Sequence, residues 1–168
     1  MSLKKKNLSD YTLQPEKLSG NTTVGILVSE WNPEITESLC KAAVETLCLH
    51  GISKKKILIH HVPGSFELPL GAQYLIMNNN VDAVICLGCV IQGETRHFEF
   101  ICQAVSQQIA RLNIDHNIPV IFGILTTDNF QQAKERAGGK HGNKGVEAAV
   151  AAIKMLLLRN KTSATINN

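Results

Sequence analysis

The chain has 168 residues, 44% of them hydrophobic and 18% charged, with a formal net charge of +3. That is the size of a single domain with room for a proper core, and the weak, scattered positive charge, with no interleaved aromatics, points away from nucleic acid. No run approaches the roughly 18 apolar residues of a membrane span, the stretch from Met1 to Asn7 lacks the apolar segment of a signal peptide, and five cysteines, mostly in apolar stretches, read as reduced thiols of a cytoplasmic protein.

Residues 1–20 are polar, include Pro15 and keep no steady period, which marks them as an arm before a domain at 21–160; a polar tail follows at 161–168. Residues 23–29 are apolar and rich in β-branched side chains, the pattern of a buried strand. Asn32 then offers an N-cap, Pro33 suits the first helical position and Glu34 complements the helix dipole. Ile35, Leu39, Ala42, Ala43 and Leu47 line one face of the helix that follows, and Gly51 closes it. Residues 57–62 form a second strand. Pro63-Gly64 turns the chain into Ser65-Phe66-Glu67-Leu68-Pro69, where a second helix starts and runs to about Met77. A third strand covers 83–91, a third helix with Thr95 as its N-cap runs to about Leu112, and a fourth strand covers 119–125. Asp128, with Gln131 three residues on, resembles a capping box and opens a short helix that stops at Gly138-Gly139. A Gly- and Lys-rich loop at 140–145 leads into a last helix from about Val146 to Arg159.

Near-continuous apolar strands alternating with helices predict a parallel sheet covered on both faces, here a single-domain α/β/α sandwich around four parallel strands. Right-handed crossovers put the C-terminal end of every strand on one edge, where such sheets bind ligands. Three polar junctions converge there: Glu30-Trp31-Asn32, Gly64-Ser65-Phe66-Glu67 and Gly93 to His97. The third is the most informative. Strand character ends at Ile91, Gln92-Gly93-Glu94 breaks it, and helical spacing begins with Phe98, Ile101, Cys102, Val105 and Ile109, so His97 lies in the first turn. Free N–H groups and the positive end of the dipole suit an anion there. A histidine and a hydroxyl beside such a nest suit proton transfer next to a phosphate. Cys86 and Cys89 form a C-x2-C, but residues three apart on a strand face opposite ways and cannot share a metal. The same objection removes the adjacent His60 and His61. No metal site is expected, and the Gly-Lys loop lacks the G-x4-G-K-[ST] of a P-loop.

Taken together, Ser29-Glu30-Trp31-Asn32, Val62-Pro63-Gly64-Ser65-Phe66-Glu67-Leu68-Pro69, Gly88-x4-Gly93-Glu94-Thr95-x-His97-Phe98-Glu99, Pro119-Val120-x-Phe122-Gly123 and Arg136-Ala137-Gly138-Gly139-Lys140-x-Gly142-Asn143-Lys144-Gly145 resemble the lumazine synthase family, in order, over about residues 23–159. Gln92 departs from an arginine common in that family. The resemblance implies a flavodoxin-like sheet and a transferase of riboflavin biosynthesis. Its reaction joins 5-amino-6-(ribitylamino)uracil to 3,4-dihydroxybutan-2-one 4-phosphate, giving 6,7-dimethyl-8-ribityllumazine, phosphate and water, with no metal or organic cofactor. Trp31 would stack on the pyrimidine. Backbone groups of Ser65, Phe66 and Glu67 and of Cys89, Val90 and Ile91, with the Glu67 carboxylate, would hold the ring and the ribityl hydroxyls. Phe122 would pack on the ring from a neighbouring subunit. Glu94, Thr95 and Arg136 would hold the ketose phosphate, and His97 would carry protons as the catalytic residue.

The same resemblance implies a homo-oligomer. Family members form pentamers, and some stack these into a hollow icosahedral shell; the compact link from Gly138 to Asn143, with nothing inserted, goes with the shell. Riboflavin synthase is the implied protein partner, beside the small-molecule substrates, with neither nucleic acid nor membrane involved. Each residue also has an ordinary role open to it: Trp31 as a surface cap, Phe66 and Phe122 as core, Glu67 as a helix cap, Arg136 as a solvated helix residue. A flavin or lumazine carrier and a non-catalytic shell protein remain alternatives, though neither needs His97 beside an anion nest.

Overall fold

Six residues without an exposed member, Val24–Ser29, form strand β1 in the interior, and the computed structural model describes residues 9–11 and 18–165 around it. Most of the expected arm, at 1–8 and 12–17, and the last three residues lie outside the described residues. After β1 come α1 (Pro33–Leu49), β2 (Ile57–Val62), α2 (Leu68–Asn79), β3 (Ala83–Ile91), α3 (His97–His116), β4 (Val120–Thr127), α4 (Phe130–Glu135), β5 (Ala137–Gly139), β6 (Gly142–Asn143) and α5 (Lys144–Thr165). Short 3-10 turns, Lys54–Lys56 and Ser65–Glu67, lead into β2 and α2.

The long strands pair in the order β2-β1-β3-β4, all parallel, as the alternation of apolar strands and helices requires. Side chains alternate between two cores. Val24, Ile26 and Val28 of β1 pack with Ile35 and Leu39 of α1 and with Ala149, Ile153 and Leu156 of α5. Leu27 faces the other way, with Leu68 and Leu75 of α2 and Val105 and Ile109 of α3. Ile153 and Leu156 are almost wholly removed from water, which contributes about 1.5–3 kcal/mol for each such side chain. Cys86 and Cys89 fall into opposite cores, as their spacing on β3 demands. At the sheet edge away from the strand C-termini, Asp82 accepts from the Thr23 N–H and from Arg159, both at 2.9 Å, and so ties the start of β1 to α5.

Several boundaries differ from the sequence expectation. β4 continues past Leu125 because Thr126 and Thr127 pair with Val90 and Ile91. That extension shifts the cap of α4 by one residue: Asn129, not Asp128, is the N-cap, its Oδ1 accepting from Gln132 N–H at 2.9 Å. Gln132, not Gln131, reaches back to the Asp128 N–H at 3.0 Å. Thr95 is not the N-cap of α3. Arg96 holds that place without a side-chain cap, and the Thr95 hydroxyl accepts only a long bond, 3.4 Å, from the His97 N–H. Asn32 does cap α1 by position, with Pro33 in the first turn, but at a left-handed φ of 59° and with no side-chain bond to the helix. Finally, α4 stops at Glu135 rather than at Gly138-Gly139, and the stretch from 137 through the loop expected at 140–145 is not a plain loop. It folds back as the antiparallel hairpin β5–β6, and α5 begins directly at Lys144 and runs past Arg159 to Thr165.

Candidate active site

The ends of β1, β2 and β3 open onto a cleft of about 780 Å³. Strand order reverses between β1 and β3, so this is the switch point where open parallel sheets leave a crevice. Trp31 and Asn32 enter it from the β1–α1 junction, Gly64, Ser65, Phe66 and Glu67 from the β2–α2 junction, Cys89, Val90 and Ile91 from the end of β3, and His97 and Ile101 from α3. The junctions are locked to one another. Asn32 spends its side chain on the Cys89 carbonyl, donating at 3.1 Å, rather than on its own helix. The Trp31 indole and the Glu67 carboxylate close over Gly64 from two sides: a Cβ there would lie 3.4 Å from Trp31 Cδ1 and 3.1 Å from Glu67 Oε2. Gly88 has a similar reason to be glycine, since its Cβ would stand 2.5 Å from the Ser65 hydroxyl oxygen. That hydroxyl is buried with no hydrogen-bond partner among the described residues. Burial pushes the Cys89 thiol up to about 11, so it stays protonated at neutral pH and is a wall of the cleft rather than a nucleophile.

A second cleft, of about 670 Å³, lies along the edge strand β4. Its apolar side carries Phe122 and its polar side Arg136, Lys140, His141 and Lys144, against the carboxylate of Glu135. Arg136 pairs with Glu147 at 3.1 Å and donates to the His141 carbonyl at 3.4 Å; Lys144 reaches the same Glu147 at 3.3 Å. Glu135 takes Lys140 at 3.0 Å and His141 at 3.5 Å. The hydrogen bond from Lys140 holds the Glu135 carboxyl below the usual carboxylate range. Three permanent cations against two carboxylates leave this cleft suited to an anion.

Of the residues expected from the sequence, Trp31, Ser65, Phe66, Glu67, Cys89, Val90, Ile91 and His97 line the first cleft together. Phe122 and Arg136 line the second, and the two clefts share no residue. Glu94 and Thr95 line neither; both are exposed in the turn that leads into His97. Sequence reasoning places Asn32 in the Glu30-Trp31-Asn32 junction but gives it only a capping role, so its bond to Cys89 is unforeseen. Lys144 stands in the Arg136 motif but receives no site role from sequence reasoning, and Glu147 is missed, because spacing alone does not pair them with Arg136; the start of α5 brings them together. Among the described residues no group of three or more His, Cys, Asp or Glu is arranged to hold a metal ion, and no helix is long and apolar enough to cross a membrane.

An open parallel sheet with an amphipathic cleft at its switch point defines a small-molecule site on an α/β protein. The profile of the family described as 6,7-dimethyl-8-ribityllumazine synthase matches residues 21–160. The chain is 62% identical over 156 residues to the 6,7-dimethyl-8-ribityllumazine synthase of Cytophaga hutchinsonii, covering 93% of this chain and 98% of that protein. With the enzyme of the same name from Porphyromonas gingivalis it shares 54% over 149 residues, 89% of this chain and 92% of the relative. With that of Flavobacterium johnsoniae it shares 50% over 163 residues, 97% and 86% of the two chains. The chain belongs to the 6,7-dimethyl-8-ribityllumazine synthase family.

Proposed function

We propose that this protein condenses 5-amino-6-(ribitylamino)uracil with 3,4-dihydroxybutan-2-one 4-phosphate to 6,7-dimethyl-8-ribityllumazine, phosphate and water, in the cytoplasm, through the domain at 21–160. The observation that carries the reading is the single cleft that joins an aromatic face, Trp31, a carboxylate, Glu67, and an imidazole, His97, at the strand edge. The flat pyrimidine stacks on Trp31. Backbone groups at Ser65, Phe66 and Glu67 and at Cys89, Val90 and Ile91 take its ring polar atoms, and the Glu67 carboxylate takes ribityl hydroxyls. The amine of the pyrimidine attacks the C2 ketone, and one water leaves as the imine forms. A proton then leaves C3 as phosphate leaves C4, and the resulting enol becomes a C3 carbonyl. The ribitylamino nitrogen closes the ring on it with loss of a second water. His97 carries the protons of these steps; an imidazole both gives and takes a proton near neutral pH. Holding the two substrates together supplies several kcal/mol of the barrier, and proton transfer adds about 10²–10⁴-fold.

Phosphate is held by Arg136, with Lys144 beside it, and by the turn at Glu94 and Thr95. Because Phe122 and Arg136 open onto a separate cleft, a neighbouring subunit supplies them, and the protein works as a pentamer. Its contact surface is the exposed apolar side chains of Leu70, Tyr74 and Met77 on α2, with Phe66 in the turn before it. The compact hairpin at 137–143 supports stacking of pentamers into a shell, with riboflavin synthase, the consumer of the product, as its companion. Mixing the protein with both substrates tests the reading: the lumazine chromophore grows in step with released phosphate. Tight lumazine binding without turnover would instead describe a carrier, and neither binding nor turnover a shell protein.

A further inference from the structure

We infer that Ser38, a residue of α1 that lines neither cleft, is a positioning residue for the phosphate end of the reaction; the inference rests on the reading of the second cleft as the phosphate subsite. The Ser38 hydroxyl donates to the Ala137 carbonyl at 2.7 Å. The Asn143 side-chain amide donates back to the hydroxyl and carbonyl oxygens of Ser38, each at 3.4 Å. Ala137 and Asn143 face each other across the β5–β6 hairpin. The residues immediately outside that pair are Arg136 and Lys144, cations of the second cleft, joined by the Lys144 N–H to the Arg136 carbonyl at 2.9 Å. One hydroxyl therefore grips both strands of the hairpin where the two cations leave it.

The hairpin needs such a grip. Its strands are three and two residues long with an irregular register, and a pair that short does not hold itself in water. The arm contributes from another direction: the Asn143 N–H donates to the Ser9 hydroxyl at 2.6 Å, and that hydroxyl donates to the Asn143 carbonyl at 3.1 Å. Arginine and lysine tips are mobile, so where their backbone leaves the hairpin decides whether they converge on one anion. Misplacing such a group by about 1 Å costs up to about 10²-fold in the bound geometry.

Steady-state kinetics on full-length Ser38→Ala, Ser38→Thr and Arg136→Ala proteins test this. Losing one hydrogen bond in Ser38→Ala raises KM for the phosphorylated ketose about three- to tenfold, with kcat and the KM for the pyrimidine within about twofold. Ser38→Thr keeps the hydroxyl and restores the ketose KM, and Arg136→Ala raises it further than Ser38→Ala does. Equal effects on both substrates, no rescue by threonine, or an unmoved ketose KM in Ser38→Ala while Arg136→Ala raises it, overturns the role of Ser38 and leaves the phosphate reading standing. An unmoved ketose KM in Arg136→Ala overturns that reading and the inference with it. Quenching of Trp31 fluorescence by the pyrimidine is retained in Ser38→Ala; its loss makes Ser38 a general structural residue and also overturns the inference.

Discussion

His97 opens α3 and is exposed at the rim of the first cleft, so replacing it removes the proposed proton carrier while disturbing little packing. His97→Ala is expected to lower turnover by about 10- to 100-fold, inside the usual range for proton transfer, with pyrimidine binding retained. Activity does not vanish, because positioning remains; turnover equal to the parent's would take His97 out of the mechanism. Trp31 allows a second, direct reading of the same cleft. It is the only tryptophan, and it stands 71% exposed over Gly64, which is unusual for a side chain of that size unless something flat covers it. A pyrimidine or lumazine analogue should quench and shift its emission saturably. Emission that ignores a ligand shown by calorimetry to bind would put Trp31 outside the pocket. At this scale the strand-edge rule made most first-cleft residues legible before any coordinates, whereas Thr95 and Asn32 were assigned to helix caps and their side chains do other things.

α1 is the element that connects the two clefts. Its first residues lie against the first cleft through Asn32 and Cys89, and its next turn is the platform for the hairpin and for the start of α5. The tightest point of that platform is Gly145, whose Cβ would run into the carbonyl oxygen of Leu39. Two effects of Gly145→Ala oppose each other. Alanine is better than glycine in a helix by about 1 kcal/mol, but here added volume meets backbone, which cannot rotate away, and overpacking costs about 1–3 kcal/mol or more. The clash wins, so Gly145→Ala is expected to lower the melting temperature and the ketose affinity together. Gly20, with nothing near its Cβ position, serves as the control; a Gly145→Ala protein as stable as Gly20→Ala would show that α1 and α5 separate freely.

A single subunit carries both clefts but keeps them apart. The Trp31 cleft and the basic cleft have no common residue, and Tyr74 and Met77 leave α2 with apolar surface turned to solvent. Association of copies answers both facts at once: it covers apolar area and can bring the Phe122 edge of one subunit to the Trp31 cleft of the next. Sedimentation and negative-stain imaging at neutral pH in phosphate are expected to show closed shells. A pentamer-sized particle, stable across protein concentration, would remove the shell and keep the shared site; an active monomer would remove both.

By itself the sequence determined which segments are the long strands and helices, that the sheet is parallel and covered on both faces, and which edge carries the first cleft. Those follow from one-dimensional signals: continuous apolar runs such as Val84 to Ile91, three-and-four spacing such as Val105 to Ile109, and glycine or proline at the breaks. Only the tertiary structure decided the rest. β4 outlasts its apolar run because Thr126 and Thr127 find partners on β3, and that displaced the cap of α4. The β5–β6 hairpin is too short to carry any period, and it sits where Asn143 meets Ser38 of α1, far away in sequence. The grouping of Arg136, Lys144 and Glu147 has the same origin. Charges that converge through the docking of separate elements leave no spacing to read, because the distance that matters to them is not measured along the chain.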